Sequence, residues 1–102
     1  MVKLRHISRD EFCQKTGVSK YDPCISCMIG GVYFMPAFGH YLEIERDGDD
    51  VPTYFMKQDN GTWWKFTIIK EGPITGTIVS KFIEDESHKY GGEWKFWKGI
   101  YH

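Results

Sequence analysis

The sequence predicts an α+β fold, in which a short N-terminal helix packs on a meandering antiparallel sheet of about five or six strands. Three observations carry that prediction. Ser8-Arg9-Asp10-Glu11 has the residue order of a helix capping box. Leu42 and Ile44 alternate with Glu43 and Glu45, the period of a strand with one wet face. Asn60-Gly61 stands between two runs rich in aromatic and β-branched residues, where a hairpin turn belongs. At 102 residues the chain has room for one hydrophobic core, so residues 1–102 are read as a single domain.

The helix comes first. In a capping box the Ser8 hydroxyl accepts from the N–H of Glu11, while the Glu11 carboxylate reaches back to the N–H of Ser8. Ile7 and Phe12 have the spacing of a hydrophobic staple, and Asp10 and Glu11 suit the positive end of the helix dipole. The helix is expected from about Arg9 to Thr16, ending at Gly17, which takes the left-handed conformation without a Cβ clash. Val18 to Pro23 reads as a loop, because the residue before a proline disfavours helix. Val32 to Met35 reads as a short strand and Pro36 to Gly39 as a turn. The remaining strands are Tyr41 to Arg46, Thr53 to Asp59, Thr62 to Lys70, Ile74 to Ile83 and Glu93 to Tyr101. Asp47-Gly48-Asp49-Asp50, Asn60-Gly61 and Glu71-Gly72-Pro73 are the turns between them, and Glu84 to Gly92 is a polar loop. A sheet of this kind can also curl into a partial barrel.

A two-residue loop at Asn60-Gly61 would set Gln58 opposite Trp63 and Phe55 opposite Phe66. Alternation then puts Phe55, Lys57, Trp64, Phe66 and Ile68 on one face, continuous with Leu42 and Ile44. This set is assigned to the core beneath the helix. Tyr54, Met56, Trp63, Lys65, Thr67 and Ile69 fall on the other face, which is expected to lie partly in water.

Composition narrows the functions. The net charge is −1, which argues against coating duplex nucleic acid, where affinity comes from neutralising many phosphates. Met1 to His6 carries basic residues with no apolar run behind them, so no secretory signal is expected. The apolar stretch from Cys24 to Leu42 is broken by Gly30, Gly31, Pro36, Gly39 and His40 and is poor material for a membrane span. A cytoplasmic protein is the expectation, with its three cysteines as free thiols or metal ligands rather than a disulfide framework.

Four residues have the donor types of a structural zinc site: Cys13, the C-x-x-C pair Cys24 and Cys27, and His40. Zinc is therefore the candidate cofactor. Against it, the chain has no second C-x-x-C, and buried cysteine commonly behaves as a small hydrophobe. Trp63-Trp64-Lys65-Phe66 and Trp94-Lys95-Phe96-Trp97-Lys98 interleave aromatics with lysine, a pattern that holds stacked bases and phosphates on a sheet face. The plainer reading is that half of each run is core and the lysines are its solvent row.

Catalysis finds little support: there is no Gly-rich phosphate loop, nucleophile elbow or H-E-x-x-H, and His6, His40, His88 and His102 are scattered. The expectation is a small non-catalytic binding protein that occupies a surface of another macromolecule, of the inhibitor, immunity or phage anti-defence type. Another protein is the expected partner, with a nucleotide or single-stranded nucleic acid as the alternative; monomer and homodimer both fit. The expected contact residues are Tyr54, Trp63, Lys65, Trp97 and Tyr101, with Glu43 and Glu45 at the rim. On that reading Trp63→Ala weakens binding and leaves the melting temperature nearly unchanged.

Overall fold

A computed structural model describes residues 3–19, 40–58, 61–71 and 74–82. Their order is β1 (Lys3–Ile7), α1 (Arg9–Thr16), β2 (His40–Glu45), β3 (Thr53–Lys57), β4 (Trp63–Glu71) and β5 (Ile74–Lys81). The five strands form one antiparallel sheet in the order β1-β2-β3-β4-β5, so each neighbours the strand before it. Among the described residues the sheet is open, with β1 and β5 as its edges, and does not close into a barrel. The α+β class and the helix on the sheet are as the sequence predicts. β1 was not expected: its residues Lys3-Leu4-Arg5-His6-Ile7 lack a clean alternation, and pairing with β2 makes the strand. The strands expected at 32–35 and 93–101 lie outside the described residues. Among the described residues no helix is long and apolar enough to cross a membrane.

The helix has the expected ends. Glu11 N–H donates to Ser8 Oγ at 3.1 Å. Gly17 has φ 74°, and its N–H donates to Cys13 O at 2.9 Å, closing the last turn. Phe12 and Thr16, one turn apart, are the buried residues of this helix. The Phe12 ring meets Tyr41, Tyr54 and Phe66 at centroid distances of 5.0, 6.2 and 4.8 Å, the last two edge to face. At the far end of the helix, Thr77 Oγ1 on β5 donates to Thr16 O. Phe12 thus seats α1 on the middle of the sheet, while Thr16 ties it to the edge.

The β3–β4 turn corrects the expected faces. Gln58 N–H donates to Thr62 O at 2.8 Å, and Gly61 N–H donates to Gln58 O at 2.9 Å. Residues 58 and 62 therefore pair, with three residues between them rather than two. Gly61 has φ 89°, the left-handed residue that ends a three-residue hairpin loop. Tyr54 consequently faces Phe66, Met56 faces Trp64, and Lys57 faces Trp63. One residue of register moves every side chain of one strand to the opposite face of its neighbour.

The helix side of the sheet thus carries Tyr41, Tyr54, Met56 and Phe66 around Phe12, with Val18, and with Ile7, Cys13, Trp64, Ile68 and Val79 packed against them. Leu42, Ile44, Phe55, Trp63 and Phe82 form a second buried cluster, with Leu4 against it. Both faces of the central strands are interior, and four consecutive β3 residues, Thr53 to Met56, are buried. Phe12, Leu42, Ile44, Phe55, Met56 and Phe66 are the largest fully buried side chains. Each contributes roughly 1.5–3 kcal/mol by leaving water.

Candidate functional site

Three polar regions of the described surface carry arrangements that chemistry could use, and each begins with a strand position. The first is a charge network on the helix side. Arg5 on β1 lies opposite Glu43 on β2, and Glu43 lies opposite Tyr54 on β3. Arg5 donates to Glu43 Oε1 through Nε at 3.1 Å and Nη2 at 2.9 Å. Its Nη2 also meets the Glu11 carboxylate, so this end of the capping box is linked to β1. Tyr54 Oη donates to Glu43 Oε2 at 2.7 Å. Both Glu43 oxygens are thereby engaged, and four elements share one network.

The electrostatics follow from these contacts. Burial disfavours the Glu43 carboxylate, but the hydrogen bonds from Tyr54 and Arg5 outweigh it and hold the pKa below the ordinary value. Burial, and then the bond to Glu43, push the Tyr54 hydroxyl above its ordinary value, so it stays a donor. Hydrogen bonding to Glu43 and then to Glu11 raises Arg5. The network is a strut whose groups are matched to each other.

It makes a pH prediction. Glu43 has a depressed folded-state pKa, so its partners contribute fully above the ordinary carboxyl value of 4.5. That contribution is lost as pH falls through the lowered pKa. Urea midpoints measured from about pH 6 to about pH 3 should fall more steeply for the wild type than for Glu43→Gln. Parallel curves would show that Glu43 ionisation is not linked to folding.

The second region is the β2–β3 turn. Asp49 N–H donates to Arg46 O at 3.1 Å, and Gly48 has φ 88°, a conformation that suits the absence of Cβ. Arg46 grips Asp49 with two bonds, Nε to Oδ2 at 2.9 Å and Nη2 to Oδ1 at 3.3 Å. Two shallow depressions of about 190 Å³ each flank this pair. One is lined by Lys3, Glu45 and Asp47, the other by Asp50, Val51, Pro52 and Thr67. Both are open, and the Arg46–Asp49 pair spans their shared wall.

The third region is the β4–β5 end of the sheet, on the side away from α1. Lys65, Thr67 and Ile69 on β4 lie opposite Ser80, Ile78 and Gly76 on β5. Ile78 is 54% exposed and stands among half-buried or exposed neighbours. Five acids, Glu43, Glu45, Asp47, Asp49 and Asp50, belong to β2 and the turn after it, together with Arg46, whereas β4 and β5 carry Lys65, Lys70 and Lys81 with Glu71 as their one acid.

The structure places the expected contact residues as follows. Tyr54 and Trp63 are buried, at 3% and 7% exposure, and lie on opposite faces. They therefore do not form one wet surface with Lys65, because the register differs by one residue from the two-residue loop. Lys65 is half-buried, Glu45 is exposed, and Glu43 is engaged by Arg5 and Tyr54. Trp97 and Tyr101 lie outside the described residues. Of the expected zinc ligands, Cys24 and Cys27 also lie outside them. Cys13 packs on the helix-side cluster. His40 stands in the β2 row of Leu42 and Ile44, so its strand position faces the other side. Burial, and then the positive charge of Lys57 and His6, lower its pKa. Among the described residues no three His, Cys, Asp or Glu side chains gather as metal ligands would.

Sequence reasoning missed Arg5 and Ile78. The Arg5 partner is 38 residues away, so no local motif announces it. Ile78 sits in a run, Ile74 to Lys81, that reads equally as an interior strand or an edge. Compared with known proteins, the chain matches no family model, no curated protein and no solved structure.

Proposed function

We propose that this chain is a small non-catalytic binding protein that acts by occupying a surface of another macromolecule, in the manner of an inhibitor, an immunity protein or a phage anti-defence protein. The contact surface in this reading is the β4–β5 end of the sheet, with Ile78 at its centre and Lys65 and Ile69 beside it. The observation that carries it is the exposed Ile78 in the middle of β5, an edge strand among the described residues. Edge strands usually carry charge, proline or a bulge there, because an apolar edge invites association. The engagement of Arg5, Glu11, Glu43 and Tyr54 with one another supports a structural role for that network rather than a chemical one. A nucleic-acid reading draws less support, since it wants aromatic faces in solvent. Trp63 is buried, and Trp64 is half-buried with its indole N–H on Gln58 at 3.0 Å.

A photo-crosslinking side chain in place of Ile78 tests this in the cells that make the protein. The control position is Gln14, exposed on α1. A protein adduct should form from position 78 and not from 14, and Ile78→Lys should abolish the complex without moving the melting temperature. Adducts to nucleic acid, or none from position 78, would overturn the reading.

A further inference from the structure

We infer that the β5 edge recognises its partner by strand addition: an extended segment with apolar side chains on one face and carboxylates on the other pairs with Thr77 and Val79. This inference rests on the binding reading above and names the partner chemistry of the same surface.

The β4–β5 hairpin fixes which peptide groups of β5 point outward. Phe82 N–H donates to Trp63 O at 2.9 Å, so residues 82 and 63 form a hydrogen-bonded pair. Antiparallel ladders alternate hydrogen-bonded with non-hydrogen-bonded pairs. Carried along the β4–β5 register, this aims the peptide groups of Gly76, Ile78 and Ser80 at β4. Those of Thr77, Val79 and Lys81 aim away from it. Among the described residues no strand lies on that side. β5 has no proline and no described inward charge, and its backbone carries the regular register of an extended strand.

The side chains specify what would add. On the face away from α1, Ile78 offers an apolar contact to a neighbouring strand. On the α1 face the edge carries Thr77, Val79 and Lys81, with Lys70 one strand further in. Lys70 and Lys81 are exposed, and among the described residues neither meets a carboxylate. The described acids are Asp10 and Glu11 on α1, Glu43, Glu45, Asp47, Asp49 and Asp50 on β2 and the turn after it, and Glu71 at the end of β4. Lys81 is the one charged residue of β5, so that strand itself carries positive charge. A segment alternating apolar and acidic residues would put its apolar row beside Ile78 and its carboxylates beside Lys81. Strand addition of this kind draws affinity from main-chain bonds and selectivity from alternate side chains.

Amide exchange measured by NMR on the whole chain tests the inference, with a peptide alternating valine and glutamate as the probe. In the free protein Thr77 and Val79 amides should exchange fast, whereas Ile78, bonded to β4, should be slow. The probe should slow Thr77 and Val79 and leave Ile78 where it was. Lys81→Glu should weaken the probe about tenfold, through loss of attraction and added repulsion across the strands. Val79→Pro, which removes an outward N–H at an edge position that tolerates proline, should abolish binding. Slow Thr77 and Val79 amides in the free protein, or equal binding of a valine–lysine peptide, would overturn strand addition. If a partner crosslinks from position 78 but these two amides stay fast in that complex, strand addition fails and the binding reading stands. If nothing crosslinks there, both fail.

Discussion

Replacing Phe12 by alanine should destabilise this protein by about 3–5 kcal/mol, the range for removing a fully buried phenylalanine. Phe12 is the one α1 residue whose ring reaches three strands, through Tyr41, Tyr54 and Phe66. Its removal deletes transfer free energy and leaves a cavity that three large rings cannot easily close. Domains of this size are stable by only about 5–15 kcal/mol, so the variant should lie close to unfolding at room temperature. Urea denaturation followed by circular dichroism measures the loss. Phe12→Leu, which keeps most of the volume, should retain over half of it. A loss below about 1 kcal/mol for the alanine variant would mean that α1 is not docked through this ring.

Trp63→Ala should have a comparable effect, about 3–5 kcal/mol. This reverses what alternation with a two-residue loop suggests, which makes Trp63 a wet contact residue and its loss nearly silent for stability. The pairing of residues 58 and 62 around Gly61 instead turns Trp63 toward Leu42, Ile44, Phe55 and Phe82. The same urea experiment on Trp63→Ala and Ile78→Ala separates the two registers. In the register described here, Trp63→Ala is severe and Ile78→Ala falls within about 0.5 kcal/mol of wild type. A mild Trp63→Ala would restore the shorter loop.

These two results also mark how far the sequence could be read. The bounds of the helix, with caps at Ser8 and Gly17, were legible because capping is local: the hydrogen bonds Glu11 to Ser8, Phe12 to Ser8 and Gly17 to Cys13 join residues at most four apart. The positions of β2 to β5 were legible nearly as well, since Tyr41 to Arg46 and Thr62 to Lys70 carry their period in their own side chains, whereas β1, which is made by its pairing with β2, was not. Which face of β3 and β4 meets the helix was not, because that depends on a single residue in the turn and propagates through both strands. Alternation was a weak guide to exposure for a further reason. Thr53, Tyr54, Phe55 and Met56 are all buried, so β3 has no wet face to read. The strut formed by Arg5, Glu43 and Tyr54 and the exposed edge at Ile78 both depend on which strands become neighbours, and no local motif encodes that.

The strand order has a consequence for the ribosome. β2 to β5 form a meander of successive hairpins, each closed over a short connection. β1 is different: Leu4 pairs with Ile44, across the helix and everything between. Closing so long a loop carries more entropy than any of the hairpins. Among the described residues β1 therefore has no strand to pair with until β2 has emerged. Phe12 has no complete ring of neighbours until Phe66 has followed. During translation β1 and α1 leave the ribosome before the strands that hold them, and they are secured only once β2, β3 and β4 have followed.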